Sequence, residues 1–268
     1  MKKLQAWKRW TVWLLLVTIF SVACFFLSQW QFSRRAEAVA KINSIEANFD
    51  QPPAELSDLA TLNSFDAKFE WRPVKLEGHF ESDKAVLVRN RPYNGAAGFL
   101  QVVPFKLSTG ETIAIETGWL PTASDNKAPT TIPTPENTDL EIIARLRPSE
   151  PTLNRDAPDG QIATINIDAL VAKENLTDPV YRSVYARLAD SYNGTTFPKI
   201  LPKPELTEGN HLSYALQWIL FALMAFGALW WAIKQETEAK KIASDPTYIP
   251  KLRKKFGDAD KAAEDAIS

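Results

Sequence analysis

The sequence predicts an α+β membrane protein in which two transmembrane helices, one N-terminal and one C-terminal, flank an extracytoplasmic, mainly antiparallel β domain. Three observations carry this. Residues 10–33 and 212–233 hold no charged side chain, and each is long enough to cross a hydrocarbon core that needs ~20 helical residues. Seven of the nine tryptophans (7, 10, 13, 30, 218, 230 and 231) lie in or beside those stretches, where indoles settle at the headgroup level. Sixteen of the 18 prolines fall between Pro52 and Pro204, a segment broken by turn residues into short alternating runs.

Residues 1–9 form a stub with Lys2, Lys3, Lys8 and Arg9 and no acid. The first span, 10–33, resembles a signal peptide in its basic start and its Ser21-Val-Ala-Cys24 box. Its apolar run nevertheless continues through Phe25, Phe26 and Leu27, too far for a cleaved h-region. The expectation is a retained anchor, with Cys24 a small apolar helix residue. A helical pattern then runs over Arg34–Asn48.

The extracytoplasmic β-rich domain is assigned to 34–211. Alternating apolar residues predict strands at Phe69–Phe80, Ala85–Arg91, Gly98–Leu107 and Glu111–Trp119. Further candidates are Asp139–Arg147, Gln161–Ile167 and Val180–Leu188. Turns are expected at Tyr93-Asn-Gly95, Ser108-Thr-Gly110, Pro158-Asp-Gly160 and Asn193-Gly194. A short helix fits Asp168–Glu174 with Asp168 as N-cap, and 122–137 reads as a proline-punctuated loop. Short strands at this spacing suggest a small sheet domain, barrel-like in character. The second span is 212–233, and a tail over 234–268 ends in a composition suited to a loose helix or disorder.

Charge orients the spans. The stub is basic, and residues 234–255 carry seven Lys or Arg against three acids, whereas 34–211 holds 19 basic and 25 acidic residues. Basic residues stay on the cytoplasmic side, so both termini are expected in the cytoplasm. A first span only ten residues from the start leaves no room for a transit peptide, which points to a bacterial plasma membrane and a multi-pass protein embedded in the lipid bilayer.

Composition excludes several functions. A net charge of −1 gives no basic footprint for nucleic acid. Sulfur occurs only in Cys24, Met1 and Met224, and the histidines are His79 and His211. That set builds no internal disulfide, zinc finger, iron–sulfur site, covalent haem attachment or soft copper site. Nucleophile elbows, phosphate-binding loops, dinucleotide fingerprints and HExxH are absent, so no enzyme is expected.

Two features remain. Arg89 with Arg91, and Arg145 with Arg147, each share a strand face and could grip a carboxylate or propionate; a solvated strand edge is the plainer reading. The second feature lies where both spans reach the outer side. On one helix His211, Tyr214, Ala215 and Trp218 share a face, with Gln217 one position off it. A neutral imidazole beside aromatic rings can ligate a haem iron, and Arg34 and Arg35 at the same depth could pair with its propionates. A headgroup-level histidine without a ligand is the alternative.

The block Asn210-His211-Leu-Ser-Tyr214-Ala215-Leu-Gln217-Trp218 and the block Gln29-Trp30-Gln31-Phe-Ser-Arg34-Arg35 resemble the signature of the Surfeit-locus family of cytochrome c oxidase assembly factors. Between them Arg91-Pro92 with Gly95 and Gly98, Thr117-Gly118-Trp119-Leu-Pro121, Leu146-Arg147-Pro148-Ser-Glu150 and Asn154-Arg155-Asp156 resemble the family's middle blocks. The likeness runs over about 27–233; the loop at 122–137 and the tail match nothing in it, and Gln29 stands where the family commonly has glycine.

The resemblance implies a helper in building haem–copper oxidases, acting on haem a insertion or on the maturation of subunit I, alongside other oxidase assembly factors. It also implies transient haem a, with His211 as the candidate ligand of the haem iron and Tyr214, Gln217, Trp218, Trp30, Gln31 and Arg34 as candidate cofactor-binding residues. A structural chaperone that never binds haem, and an anchored extracytoplasmic enzyme or sensor, are the competing expectations.

Overall fold

A computed structural model of the chain describes residues 2–123, 127–153, 155, 157–190, 198–245 and 247. Two compact units are present: residues up to Glu37 together with those from Glu208 onward, and Ala38–Thr207. The first is built from the larger part of helix α1 (Lys2–Asn48) and from helix α4 (His211–Ser244). Both are long and apolar enough to cross a membrane, and in the chain they flank a β-rich domain. The Arg34–Asn48 segment is part of α1, and α4 continues beyond the apolar stretch 212–233 to Ser244.

The second unit contains β1 (Ala54–Glu55), the short α2 (Leu56–Leu59), β2 (Pro73–Phe80) and β3 (Val86–Val88). The long strands β4 (Gly98–Leu107) and β5 (Thr112–Pro121) follow, then β6 (Leu140–Pro148), β7 (Gln161–Ile162), α3 (Ile167–Glu174) and β8 (Val184–Leu188). The order is β1-β2-β6-β8-β5-β4-β3-β7, with β2 also paired to β4. That last pairing closes β2, β6, β8, β5 and β4 into a five-stranded ring. Within the ring only β5–β8 is parallel.

Alternation places one side chain in two inside the ring. Val74, Leu76 and Phe80 meet Val103 and Phe105, Ile113 and Ile115, Ile142 and Leu146, and Val184 and Leu188 there, each almost or entirely without solvent exposure. Burying each large side chain contributes ~1.5–3 kcal/mol. The missing Cβ of Gly78 lets the ring close, because a side chain there would run into the Lys106 carbonyl on β4. A second layer of Val86, Val88, Leu100, Val102 and Tyr185 is covered by Ile167 and Leu170 of α3.

The structure corrects five sequence expectations. The strand expected over Ala85–Arg91 ends at Val88, and Asn90 adopts a left-handed φ of 55°, so Arg89 and Arg91 do not share a strand face. The strand expected from Phe69 begins at Pro73, because Trp71 adopts a left-handed φ of 72° that a period of two cannot register. The run expected as strand over Gln161–Ile167 ends at Ile162; Asn166 Oδ1 accepts from the Ala169 amide at 2.9 Å and starts α3 there. Asp168, expected as that cap, instead pairs with Arg182 at 2.6 Å. The strand expected from Val180 begins at Val184, since Val180 makes an isolated bridge to Thr112 and Tyr181 donates its amide to the Thr112 carbonyl. The expected turn at Asn193-Gly194, residues 124–126 of the loop and the tail from 248 lie outside the described residues.

Arg145 and Arg147 lie on the outer face of β6, and their cross-strand partners on β8 are Arg187 and Tyr185. The guanidinium of Arg145 sits 3.8 Å from the Phe49 ring centre, and its Nε donates to the Phe49 carbonyl. Arg147 stacks 4.1 Å from Trp71 and pairs with Glu70 at 3.0 Å. Arg187 reaches Glu116 of β5 with Nε 2.7 Å from Oε1, and the Glu116 side chain is wholly buried. These arginines are held internally, which is where aromatic faces and fixed carboxylates make guanidinium burial tolerable.

Breaking a buried pair leaves the surviving charge uncompensated. Glu116→Ala is therefore expected to destabilise the domain by about 3–5 kcal/mol, measured as urea unfolding of the full chain followed by circular dichroism. The apolar double variant Glu116→Leu/Arg187→Met should recover most of that loss.

Candidate functional site

The two long helices meet along a seam that their sequences set up. On α1 the less exposed positions run Val17, Ser21, Cys24, Ser28, Gln31 and Arg35; on α4 they run His211, Ala215, Trp218, Ala222, Ala225, Leu229, Ala232 and Glu236. Both follow the alternating spacing of four and three that keeps one face towards a neighbouring helix. Small residues dominate the stripe, and they let helix backbones come close. Cys24, Ser28 and Ala215 are almost fully buried.

Polar groups at the two ends of the seam answer each other and fix an antiparallel register. Arg9 pairs with Glu236 at one end, and Arg35 Nε meets Glu208 at 2.9 Å at the other. Next to that second pair, His211 Nδ1 lies 2.9 Å from Gln31 Oε1. Near the Arg9 end the alanines leave an apolar recess of about 690 Å³ lined by Trp10, Trp13, Val17, Ala225, Leu229 and Ala232.

The other sequence-predicted residues lie within two turns of Gln31 or His211 on their own helices. At about 100° per residue, Trp30 and Arg34 stand on the same side of the α1 seam. In an antiparallel pair, Tyr214 and Gln217 of α4 fall on that side too. Trp30 is 53% and Tyr214 49% exposed, so this flank is open. Arg34 lies over the Trp30 ring at 5.8 Å and pairs with Glu37 at 3.0 Å. Trp218 is half-buried and makes an edge contact with Phe221 at 5.8 Å. The flank therefore combines an aromatic surface with one cation, next to the seam that holds the imidazole. Gln29 is exposed, so glycine at that position is not needed for the packing seen here.

Two neighbours escaped the sequence reading. Gly209 has a φ of +67°, and a Cβ there would stand 3.6 Å from His211 Cδ2 and 3.7 Å from Nε2. Its place directly before the Asn210-His211 block was the only sign. Ser28, buried one turn before Gln31, has only its heptad spacing to mark it.

The middle blocks gather elsewhere, in one corner of the β domain. Arg91 makes a two-pronged pair with Glu150, whose Oε2 also accepts the Ile165 amide at 2.9 Å. Trp119 Nε1 donates to the Arg91 carbonyl at 2.6 Å, and its indole lies where a side chain at Gly98 would be. Arg89, Arg91 and Arg155 line an adjacent cleft of about 540 Å³ that also holds Glu150 and Thr164. Asn154 and Asp156 of the last block lie outside the described residues. Among the described residues no group of three or more His, Cys, Asp or Glu could hold a metal ion.

A small closed β barrel set in sequence between two long apolar helices that pack as an antiparallel pair, with an imidazole at one end of their seam, defines the class to which this chain belongs. The SURF1 family model matches residues 18–223, and the chain belongs to the SURF1 family. It is 30% identical over 223 residues to an uncharacterized SURF1-like protein of Mycobacterium tuberculosis, covering 81% of this chain and 80% of that one. It is 28% identical over 131 residues to the cytochrome oxidase assembly protein SHY1 of Saccharomyces cerevisiae, covering 47% of this chain and 33% of that protein. Surfeit locus protein 1 of Xenopus tropicalis is 26% identical over 246 residues, covering 83% of this chain and 75% of the relative.

The Arg91–Glu150 pair carries a pH dependence. Burial opposes the charged form of Glu150, but the Arg91 guanidinium and the Ile165 N–H outweigh it and hold the carboxyl below the ordinary glutamate range. A depressed carboxyl contributes stability that is complete above its unfolded value of ~4.3 and is lost as pH falls through the folded value. Stability of the wild type should therefore drop below about pH 4.3 more steeply than that of Glu150→Gln, measured by urea midpoints across the acid range.

Proposed function

We propose that this chain is a non-enzymatic, two-span membrane assembly factor for a haem–copper terminal oxidase, and that it holds haem a transiently on His211 for delivery towards subunit I. The observation that carries this is the Gln31–His211 pair at 2.9 Å, set beside the open aromatic flank of Trp30 and Tyr214 in a chain of the SURF1 family. The cytochrome oxidase assembly protein SHY1 belongs among its relatives.

The donor set fits such a cargo. A bare ion would need several protein ligands, whereas haem brings four of its own and asks the protein for an axial base. His211 is that base, and Trp30, Tyr214 and Trp218 supply the apolar surface. Arg34 is the cation for a propionate, and Gln217 is a further polar contact. A single protein ligand on an exposed flank suits release better than permanent redox use. The basic stub and the lysines after the second span support cytoplasmic termini and an extracytoplasmic barrel, in a bacterial plasma membrane.

The test is the haem a signal of membranes in reduced-minus-oxidised spectra, with this gene deleted and then restored. Deletion should lower the signal; wild type should restore it and His211→Ala should not. Purified His211→Ala should bind at least about 10-fold less haem with its circular dichroism unchanged, and Trp218→Ala should lose less. Equal rescue by His211→Ala would transfer the function to a structural chaperone acting through the barrel.

A further inference from the structure

We infer that Gln31 is a positioning residue: its side-chain carbonyl holds the Nδ1 proton of His211 and so keeps the imidazole lone pair on Nε2, the nitrogen on the Gly209 side of the ring. This rests on the reading of His211 as an axial base. Two separate observations on opposite edges of one ring carry it.

The first is the 2.9 Å separation between Nδ1 and the Gln31 Oε1. An amide oxygen only accepts, so the ring nitrogen facing it is the N–H. A neutral imidazole has one such proton, and its other nitrogen is then the acceptor or ligand. Free histidine favours the opposite arrangement, with the proton on Nε2. Gln31 thus converts the ring to the form in which Nε2 can take an axial position. Its place in the seam, beside buried Ser28 and next to the Arg35–Glu208 pair, limits its rotamers.

The second observation is Gly209. A Cβ at that residue would touch Cδ2 and Nε2 at 3.6 and 3.7 Å, and the φ of +67° disfavours any side chain there. The Nε2 edge therefore faces the Gly209 residue, which adds no side chain to it. One side of the ring is held by a hydrogen bond, and the other has a glycine beside it. Metal-ligating histidines are oriented through their second nitrogen in this way, and loss of the partner weakens metal binding. If the Gln31 amide were turned to present its NH₂, Nδ1 would accept and Nε2 would carry the proton, so the two arrangements are spectroscopically opposite.

The experiment is ¹⁵N NMR of the full-length protein, labelled at histidine, in detergent micelles at pH 8 without haem. The chain has only two histidines, His79 and His211, and the signals are assigned with His79→Gln. The expected result is a protonated Nδ1 and a bare Nε2 at His211. Gln31→Leu should shift the population towards the Nε2–H form, and Gln31→Glu, which still accepts, should keep the wild-type form. In a parallel titration with hemin, Gln31→Leu should bind about 10- to 100-fold more weakly. Gln31→Glu should restore affinity and move the haem midpoint potential to more negative values. Gly209→Ala should weaken hemin binding with the tautomer unchanged.

A proton on Nε2 in the wild type, or the same tautomer in Gln31→Leu, would overturn the positioning role even where hemin binds through His211. If the tautomer responds as expected but wild type does not bind hemin, the haem reading falls while the role of Gln31 towards the ring stands.

Discussion

The packing of α1 against α4 is tied near one end by the Gln31–His211 contact at 2.9 Å, while Thr11 and Thr18 turn their hydroxyls back to carbonyls of their own helix. Ion pairs lie towards its two ends, as Arg9–Glu236 and Arg35–Glu208. Small residues fill the middle, with Cys24, Ser28 and Ala215 almost fully buried. The one polar contact between uncharged side chains across the seam is Gln31–His211 among the described residues. An imidazole placed there is not spare: its Nδ1 edge is taken by the need for a partner. What is left for chemistry is the Nε2 edge and the flank beside it.

The barrel follows a different constraint, that of closing a ring with only five strands. Closure depends on β2 serving two neighbours, β6 along its first part and β4 at its end, with Gly78 at the changeover. The interior of so small a ring is filled mainly by Val, Leu, Ile and Phe. Guanidinium groups are forced to the outer face, where Phe49, Trp71, Glu70 and Glu116 receive them. Burial pushes the Tyr185 hydroxyl to a value far above its ordinary range, which keeps it neutral beside Arg147 and Arg187.

Legibility from sequence tracked the physics of each element. The uncharged stretches announced the two long helices, because more than twenty residues without a charge match the length of a helix that can cross a hydrocarbon core. Strands β4, β5 and β6 were legible because both flanks carry turn residues and their apolar runs are long. Trp71, Asn166 and Val180 misled for one common reason: a local conformation or a cap decided the boundary, and apolar periodicity carries no trace of it. At the candidate site, His211 and Gln31 were both singled out, but the hydrogen bond between them joins residues 180 positions apart, which no local pattern reveals. Tyr214 was read as sharing the face of His211, yet it lies on the flank while Ala215 and Trp218 line the seam; about 100° of helical rotation separates Tyr214 from the seam position that follows it. The part played by Gly209 depends on its φ and on the ring two residues on, neither visible in the letters.

The blocks that mark the family resemblance do not all have the same physical meaning. Those in the barrel are consumed by internal contacts. Arg91 is clamped by Glu150, Trp119 fills the space over Gly98 and holds the Arg91 carbonyl, and Glu150 also ties down the Ile165 amide. Such residues preserve a corner of the fold, and their chemistry is spent within it. The end blocks behave otherwise. Their seam members, Gln31 and His211, make one contact that orients a ring, while Trp30, Tyr214, Gln217 and Arg34 remain on the surface. Arg34 pairs with Glu37 and lies over the Trp30 ring, while Trp30 and Tyr214 keep about half of their surface exposed near the Gln31–His211 contact, so their faces stay available where those of the barrel blocks are not.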